Sequence, residues 1–357
     1  MQPGPPPPAY PSNAPLVLPG NGALPRWTTL MVATCNVLNL ALPGRSFYDN
    51  QPPYTRKDYD QKVDWLGDRF KALNADVLAV QEVWDEDALR TAVARSGLQY
   101  HAVAVPGAEN GPGLAGAQGT PRVGFVTRLK VESMASIPDF PSAAAVQVPG
   151  LGLHTRFERP PLLATLRLKQ GQQVCVITAH LKSKRPKFLE DADGKLIEDT
   201  SDPAVQALAS LRSLIMRASE ALALRLKVVE LLHRTRLPLV LMGDLNDGPY
   251  SVTTQLIAAT SQTAYDKGAR DSALYSAWDV QGEFALRRDV AYSHIHQGFP
   301  EVLDQILVSE EFVATSERAL GDVRRVEVFN DHLFEGRDRS LSDHGFVRAL
   351  LRLRLPD

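Results

Sequence analysis

An α/β layered fold is what the sequence predicts, and three observations predict it. Short aliphatic runs of strand length alternate along the chain with stretches of helical period. After the first two dozen residues no repeat and no linker divides the sequence, which favours one domain over residues 27–357. A chain of 357 residues with 44% hydrophobic content is also long enough to bury a large core.

The elements follow in order. Residues 1–26 form a separate segment: nine prolines fall before Trp27, four of them consecutive at 5–8, and large apolar residues are few. Such a polyproline-biased tail cannot pack a core and reads as disordered or draped over the surface. The run LMVATCNVL is the first strand, followed by a helix over 57–73, the strand ADVLAVQE and a helix over 85–95. Short strands fall near 100–105 and 122–127, then LLATLRL at 162–168 and QVCVITAHL at 173–181. A long amphipathic helix over 203–233 leads to LPLVLM, a helix over 251–260, the strand VLDQILVS at 302–309 and a closing strand over 345–354. The polar stretch 184–203 interrupts the pattern and reads as a surface loop.

Bulk numbers exclude several classes of protein. Thirty-nine basic and 41 acidic residues give a formal net charge of −2, so no global field draws the chain to nucleic acid or to an anionic membrane. An anionic substrate must be handled locally. Cys35 and Cys175 sit inside apolar runs and read as buried free thiols, too few for a disulfide framework or a zinc cage. No apolar stretch reaches the length of a membrane span. The N-terminus lacks the basic-then-apolar layout of a signal peptide, and cytoplasmic residence and secretion after trimming both stay open. Oligomeric state is not legible.

The informative pattern is positional. VATC ends at Asn36, DVLAV at Gln81 and Glu82, VCVITA at His180, and LPLVLM at Asp244 and Asn246. In layered α/β folds the ends of strands are where loops converge into a site. Asp343 and His344 of LSDHGFV stand at the entry of the final strand, where joint use requires a bend. Asp304 lies among aliphatics, where an ionised carboxylate is costly without a partner. Each residue alone has an ordinary reading as a turn, cap or satisfied core residue. The joint pattern does not. Two or three carboxylates and amides without cysteine suit a hard cation, Mg2+ or Mn2+, and nearby histidines complete what phosphate-ester hydrolysis needs.

TCNVLNL, VQEVW, TAHLKSK, MGDLNDGP, LDQILVS and LSDHGF, in this order, resemble the endonuclease/exonuclease/phosphatase superfamily of deoxyribonuclease I. The resemblance spans roughly residues 28–354, and the phrases HLKSK, GDLND and YSHIHQGFPEVLDQILVS look most like bacterial phosphodiesterases and nucleases. It implies a four-layered αββα sandwich of two mixed sheets flanked by helices. It also implies Glu82 as the principal metal ligand with Asn36 and Asp343, Asp244 on the attacking water, Asn246 on the phosphate or nucleophile, His180 and His344 as donors to phosphoryl oxygens, and Asp304 holding the His344 imidazole. In the abasic-site endonucleases a tyrosine and a second aspartate stand where His180 falls here, so leaving-group protonation follows the histidine-type variant.

Lys182, Lys184 and Arg185, directly after His180, are the candidates for gripping flanking phosphates of DNA or RNA; a small-molecule or lipid phosphodiester is the alternative substrate. Asp247 reads as a turn residue, His294 and His296 as ordinary strand residues with lining the site mouth as the alternative, Asp331 and His332 as loop, and Arg212, Arg217 and Arg225 as a solvated helix face.

Overall fold

A computed structural model describes residues 26–47, 51–107, 119–263, 266–282, 291–334 and 338–355. The expected proline-rich tail lies outside the described residues apart from Arg26. In chain order the elements are β1 (Trp27–Leu40), α1 (Arg56–Leu73), β2 (Val77–Val83), α2 (Glu86–Arg95), β3 (Ala102–Ala104), β4 (Arg122–Thr127) and β5 (Lys130–Ser136). A hairpin of β6 (Val146–Val148) and β7 (Gly152–His154) precedes β8 (Leu162–Arg167), β9 (Gln173–His180), α3 (Pro203–Leu232) and β10 (Leu239–Asp244). Then come α4 (Val252–Ala258), α5 (Thr260–Thr263), β11 (Leu274–Ser276), α6 (Ala277–Val280), the hairpin β12 (His294–His296) and β13 (Phe299–Glu301), β14 (Asp304–Ser309), β15 (Gly321–Phe329) and β16 (Phe346–Arg354).

The strands make two six-stranded sheets, ordered β15-β16-β1-β2-β4-β3 and β11-β14-β10-β9-β8-β5. Each holds one parallel pair, β1 with β2 and β9 with β10, among antiparallel neighbours. The two-residue period of a strand decides the layering. Leu30, Val32, Val77 and Ala79 of the first sheet face Val174, Val176, Val240, Met242, Ile306 and Val308 of the second across the central core. Their alternates Cys35, Leu78 and Val80 meet Val63, Leu66 and Phe70 of α1 and Leu89 of α2. On the other side Cys175, Ile177, Leu239 and Leu241 meet Leu224 and Val228 of α3 and Ile257 of α4. The result is the four-layered αββα sandwich with mixed sheets, as expected. Strands apolar on both faces read as continuous hydrophobic runs. Each fully buried Val, Leu or Ile contributes about 1.5–3 kcal/mol. Both cysteines are buried and free.

Helix starts are set by local chemistry. Thr55 closes a capping box with Asp58 at the head of α1, and Asn74 ends that helix in the left-handed conformation with φ 43°. Asp202 accepts from Ala204 N and Val205 N ahead of Pro203, which starts α3.

Several elements depart from the sequence reading. The strands β5 and β15 and both hairpins lie where the sequence shows no aliphatic run: β5 and β15 are edge strands with charged or half-exposed residues, and each hairpin is a two-stranded sheet of its own. The arginines of α3 are not a solvated face. Arg212 is buried and donates to Pro149 O, Lys187 O and both oxygens of Glu198. Buried Arg217 reaches Asp247 and Lys182 O, and half-buried Arg225 reaches Ser272. These guanidiniums pin the 181–202 loop, the β6–β7 turn and the segment after β10 to the helix.

Both parallel pairs end at the same rim. At that rim Gly243 allows β9 and β10 to approach: a Cβ there would stand 1.9 Å from Ala179 O.

Candidate active site

The rim gathers residues that are far apart in sequence. Ladder register puts Asp244 at the end of β10 beside His180 at the end of β9 and Asp304 at the start of β14. From the other sheet, the end of β1 delivers Asn36, whose Nδ2 donates to Asp244 Oδ2 at 3.0 Å and to Glu82 Oε1 at 3.4 Å. That amide joins the two sheets at the site.

The backbone is bent to make this possible. Eight non-glycine residues among those described have φ in the left-handed region, and four of them, Leu38, Asn39, Glu82 and Asn246, border the site. Left-handed backbone costs roughly 1–2 kcal/mol per ordinary residue and persists only where surroundings enforce it. A bulge between Asn36 and Leu40 turns β1 so that Asn39 N donates to Glu82 Oε2 at 3.1 Å, while Asn39 Oδ1 accepts from Trp84 Nε1 at 3.0 Å. Asn246 does not continue the strand on the same side as Asp244. Its backbone N donates back to Asp244 Oδ1 at 2.8 Å, and its Nδ2 donates to Leu181 O at 2.9 Å.

Polar groups of both sheets form a chain, His344 from the entry of β16 and Asp304, Asp244 and His180 from the second sheet. His344 Nδ1 lies 2.7 Å from Asp304 Oδ2, His344 Nε2 lies 3.9 Å from Asp244 Oδ2, and His180 Nε2 lies 3.4 Å from that same oxygen. Asp343 sits in the bend ahead of His344, as the sequence required.

Electrostatics separate the groups by task. Burial opposes charge on His344, but Asp304, Asp244 and Asp343 outweigh it and hold its pKa well above the usual imidazole value, so it is a cation at neutral pH. Burial, reinforced by the charge of Arg159, pushes His180 well below that value, so it is neutral. Burial raises Asp244 to about 6 against the pull of His344. Burial and then the neighbouring charge of Asp343 raise Glu82. Half-buried Glu82 and exposed Asp343, two neighbouring carboxylates with an asparagine beside them and no sulfur, are a donor set that fits a hard divalent cation. The residues present therefore fit a hard divalent cation, and Glu82, Asp343 and Asn36 are the residues that could hold it.

The 338–344 segment is positioned from four directions. Lys62 of α1, fully buried, donates through Nζ to Arg339 O and Leu341 O, both at 3.1 Å. Ser342 Oγ donates to Asn36 O at 2.6 Å and accepts from His344 N at 3.1 Å. His332 is buried in a short 3-10 turn, with Nε2 2.8 Å from His344 O. On the last side β12 lies against the segment: His294 and His344 are opposite one another in an antiparallel bridge, with ring centroids 4.9 Å apart.

Of these supports, Lys62 had a signal in the sequence. With Tyr59, Val63 and Leu66 it falls on the apolar stripe of α1. His332 and His294, read as loop and strand, do occupy such elements but touch the site, which spacing alone does not reveal. Arg159 was also missed; it donates to His180 O at 3.3 Å and to Leu181 O at 2.5 Å.

The cations after β9 are less free than the sequence implies. Lys182 is buried 3.7 Å from Glu158, and Lys184 pairs with Glu301 at 2.7 Å. Arg185 is exposed. Beside the site a cavity of about 200 Å3 is lined by Pro249, Tyr250, Trp278, Asp304 and Val347 among others.

Among solved structures the chain is similar to the human Nocturnin catalytic domain with bound sulfate, at 16% identity and a TM-score of 0.54, covering 91% of this chain and 97% of that one. It is also similar to a truncated Caenorhabditis elegans TDP2, at 16% identity and TM-score 0.51, covering 90% and 97%. A mannosyl-6-phosphatase of Bacteroides thetaiotaomicron aligns at 14% identity and TM-score 0.52, covering 90% and 99%. At these identities the likeness shows the fold. No curated protein matches the sequence. The profile of the Endonuclease/Exonuclease/phosphatase family matches residues 33–344, most of the chain. The chain therefore belongs to the endonuclease/exonuclease/phosphatase family, whose members hydrolyse phosphoester bonds and generally use divalent metals.

Proposed function

We propose that this protein is a Mg2+- or Mn2+-dependent phosphodiesterase in which water attacks phosphorus in line, without a covalent enzyme intermediate. The observation that carries this reading is the bridge of Asn36 between Glu82 and Asp244, with His180 and His344 converging on the same Asp244 oxygen. Glu82, Asp343 and Asn36 would hold the ion, which when bound neutralises charge on the phosphoryl oxygens. Asp244, ionised above about 6, orients the water and takes its proton as the new O–P bond forms. Cationic His344, fixed by Asp304, donates to a phosphoryl oxygen; Asn246 would bind the phosphate or the nucleophile. Neutral His180 donates a hydrogen bond to a phosphoryl oxygen and keeps its proton; as the ester P–O bond breaks, the leaving oxygen takes a proton from cationic His344. Most of the rate enhancement then comes from positioning and electrostatics.

A nuclease acting on DNA or RNA is the first reading of the substrate, with Arg185, Lys184 and Lys182 along the exit of β9 toward flanking phosphates. A lipid or small-molecule phosphodiester is the second, and a specific observation favours it. The exposed large apolar side chains among the described residues all lie on segments that begin or end at the site rim: the β6–β7 hairpin, the 181–202 loop with the first half of α3, Tyr250 and Val252 after β10, and Phe299 ahead of β14. Such a rim matches a substrate with apolar parts better than a polyphosphate backbone.

The deciding experiment is a metal screen with plasmid DNA, an RNA oligonucleotide, a small phosphodiester and a phosphomonoester. Hydrolysis of a diester in Mg2+ or Mn2+, abolished by chelator, is expected. DNA nicking that falls steeply with added salt assigns the nuclease, and salt-insensitive cleavage of the small diester without nicking assigns the second reading. No hydrolysis of any of the four with either ion would refute the proposal.

A further inference from the structure

We propose that His294, Asp343 and His344 form a site for a borderline transition-metal ion, zinc foremost, and that zinc there shuts the enzyme off. Backbone pairing builds the site. His294 stands opposite His344 in an antiparallel bridge, and Gly345 N donates to Ser293 O at 2.7 Å, which fixes the two imidazoles as cross-strand neighbours. Their rings lie 4.9 Å apart at 40°, and one ligand atom from each of His294, Asp343 and His344 falls within 4.8 Å of the others. A tetrahedral zinc with bonds of about 2.0–2.1 Å needs ligand atoms about 3.3 Å apart. Small side-chain rotations close that gap.

The outer contacts are those of a metal-binding histidine. His344 Nδ1 is taken by Asp304 at 2.7 Å, which leaves Nε2 to ligate and repeats the carboxylate–histidine–metal arrangement. Across the hairpin, Glu301 pairs with His294, and its Oε2 lies 3.8 Å from His294 Nδ1. That nitrogen is buried without a hydrogen-bond partner, and Glu301 can hold it while the other nitrogen binds metal. Two imidazoles and one carboxylate favour zinc over Mg2+, whereas the oxygen set around Glu82 and Asn36 favours the hard ion. The two sites compete for Asp343. Zinc on His344 Nε2 also removes the donor that the phosphodiesterase reading needs, so the inhibitory half of the proposal rests on that reading; the binding half does not.

The test uses the full chain in saturating Mg2+, with zinc added over the micromolar range. Equilibrium dialysis counts bound zinc, and hydrolysis of a small chromogenic phosphodiester is followed in parallel. Wild type should bind one zinc per chain more than His294→Phe does, and should lose at least tenfold in rate over the same range, while His294→Phe keeps its zinc-free rate. Cobalt absorption in the visible range should show the imidazole ligands in wild type alone. His294→Asn, checked by circular dichroism, serves if the phenylalanine variant does not fold. Equal zinc uptake by wild type and variant, or no uptake by wild type, would overturn the proposal. If neither protein hydrolyses the ester without zinc, the phosphodiesterase reading fails while the zinc counts still decide the site.

Discussion

His344 carries its positive charge only because carboxylates surround it. Burial alone would strip the proton, and the 2.7 Å contact with Asp304 together with Asp244 reverses the sign. Asp304→Asn removes one charge and leaves the burial, so the pKa of His344 should fall. In the pH profile of kcat/KM the alkaline limb of the variant should move to lower pH, and the acid limb set by Asp244, near pH 6 in wild type, should shift as well, because Asp304 and His344 both act on Asp244. An unmoved alkaline limb would mean that His344 does not act as a cation. Away from the chemistry, Glu220 of α3 accepts from Lys182 N and Glu158 N, and burial raises it from 4.5 to about 7. A carboxyl group raised in the folded state stabilises fully below pH 4.5 and loses that contribution as pH rises through 7. The rise corresponds to about 3 kcal/mol. Urea denaturation across pH 4 to 8 should therefore show wild type losing about that much relative to Glu220→Gln; parallel pH slopes would contradict it. At this scale the sequence was informative where strand ends carried oxygen ligands, and silent where a partner is distant: nothing in YSHIHQG points to a contact with His344.

Elements decide whether those residues stay in place. The loop carrying Asp343 has no regular structure of its own and depends on Lys62 from α1, Ser342 onto β1 and His332 behind it. Lys62→Met keeps the length of the stem but leaves two carbonyls without their donor, at a cost of about 2–3 kcal/mol. We expect the variant to fold with unchanged helix content, to need more Mg2+ for half-maximal rate and to lose tenfold or more in kcat/KM. A variant with wild-type metal dependence would show that α1 merely covers the sheet. Strand legibility followed burial. The runs β1, β9, β10 and β14 are buried on both faces and read as uninterrupted aliphatics. In β15 Val323 and Val326 are buried in the core and Val328 packs against it, while Asp322 and Glu327 pair with Arg352 and Arg348 of β16, a partnership that periodicity cannot display.

For the whole molecule, the arrangement of the two sheets is what turns scattered positions into one site. Asn36 and Asp244 are 208 residues apart and share a hydrogen bond because the parallel pairs β1–β2 and β9–β10 end at the same rim. With a net charge of −2 the protein has no long-range attraction for polyanions, so substrate choice lies with the rim, where apolar side chains outnumber unpaired cations after β9. Order and spacing of the strand-end motifs made the layered fold and the convergence legible. The identity of the substrate was not, because the rim is built from loops whose exposure depends on packing. The most direct measurement is Mg2+-supported hydrolysis of a small phosphodiester by wild type and by Glu82→Ala, Asp244→Ala and His344→Ala, each with its circular dichroism recorded. Native spectra with rates reduced at least a hundredfold in all three are the expected result; native spectra with wild-type rates would contradict the account.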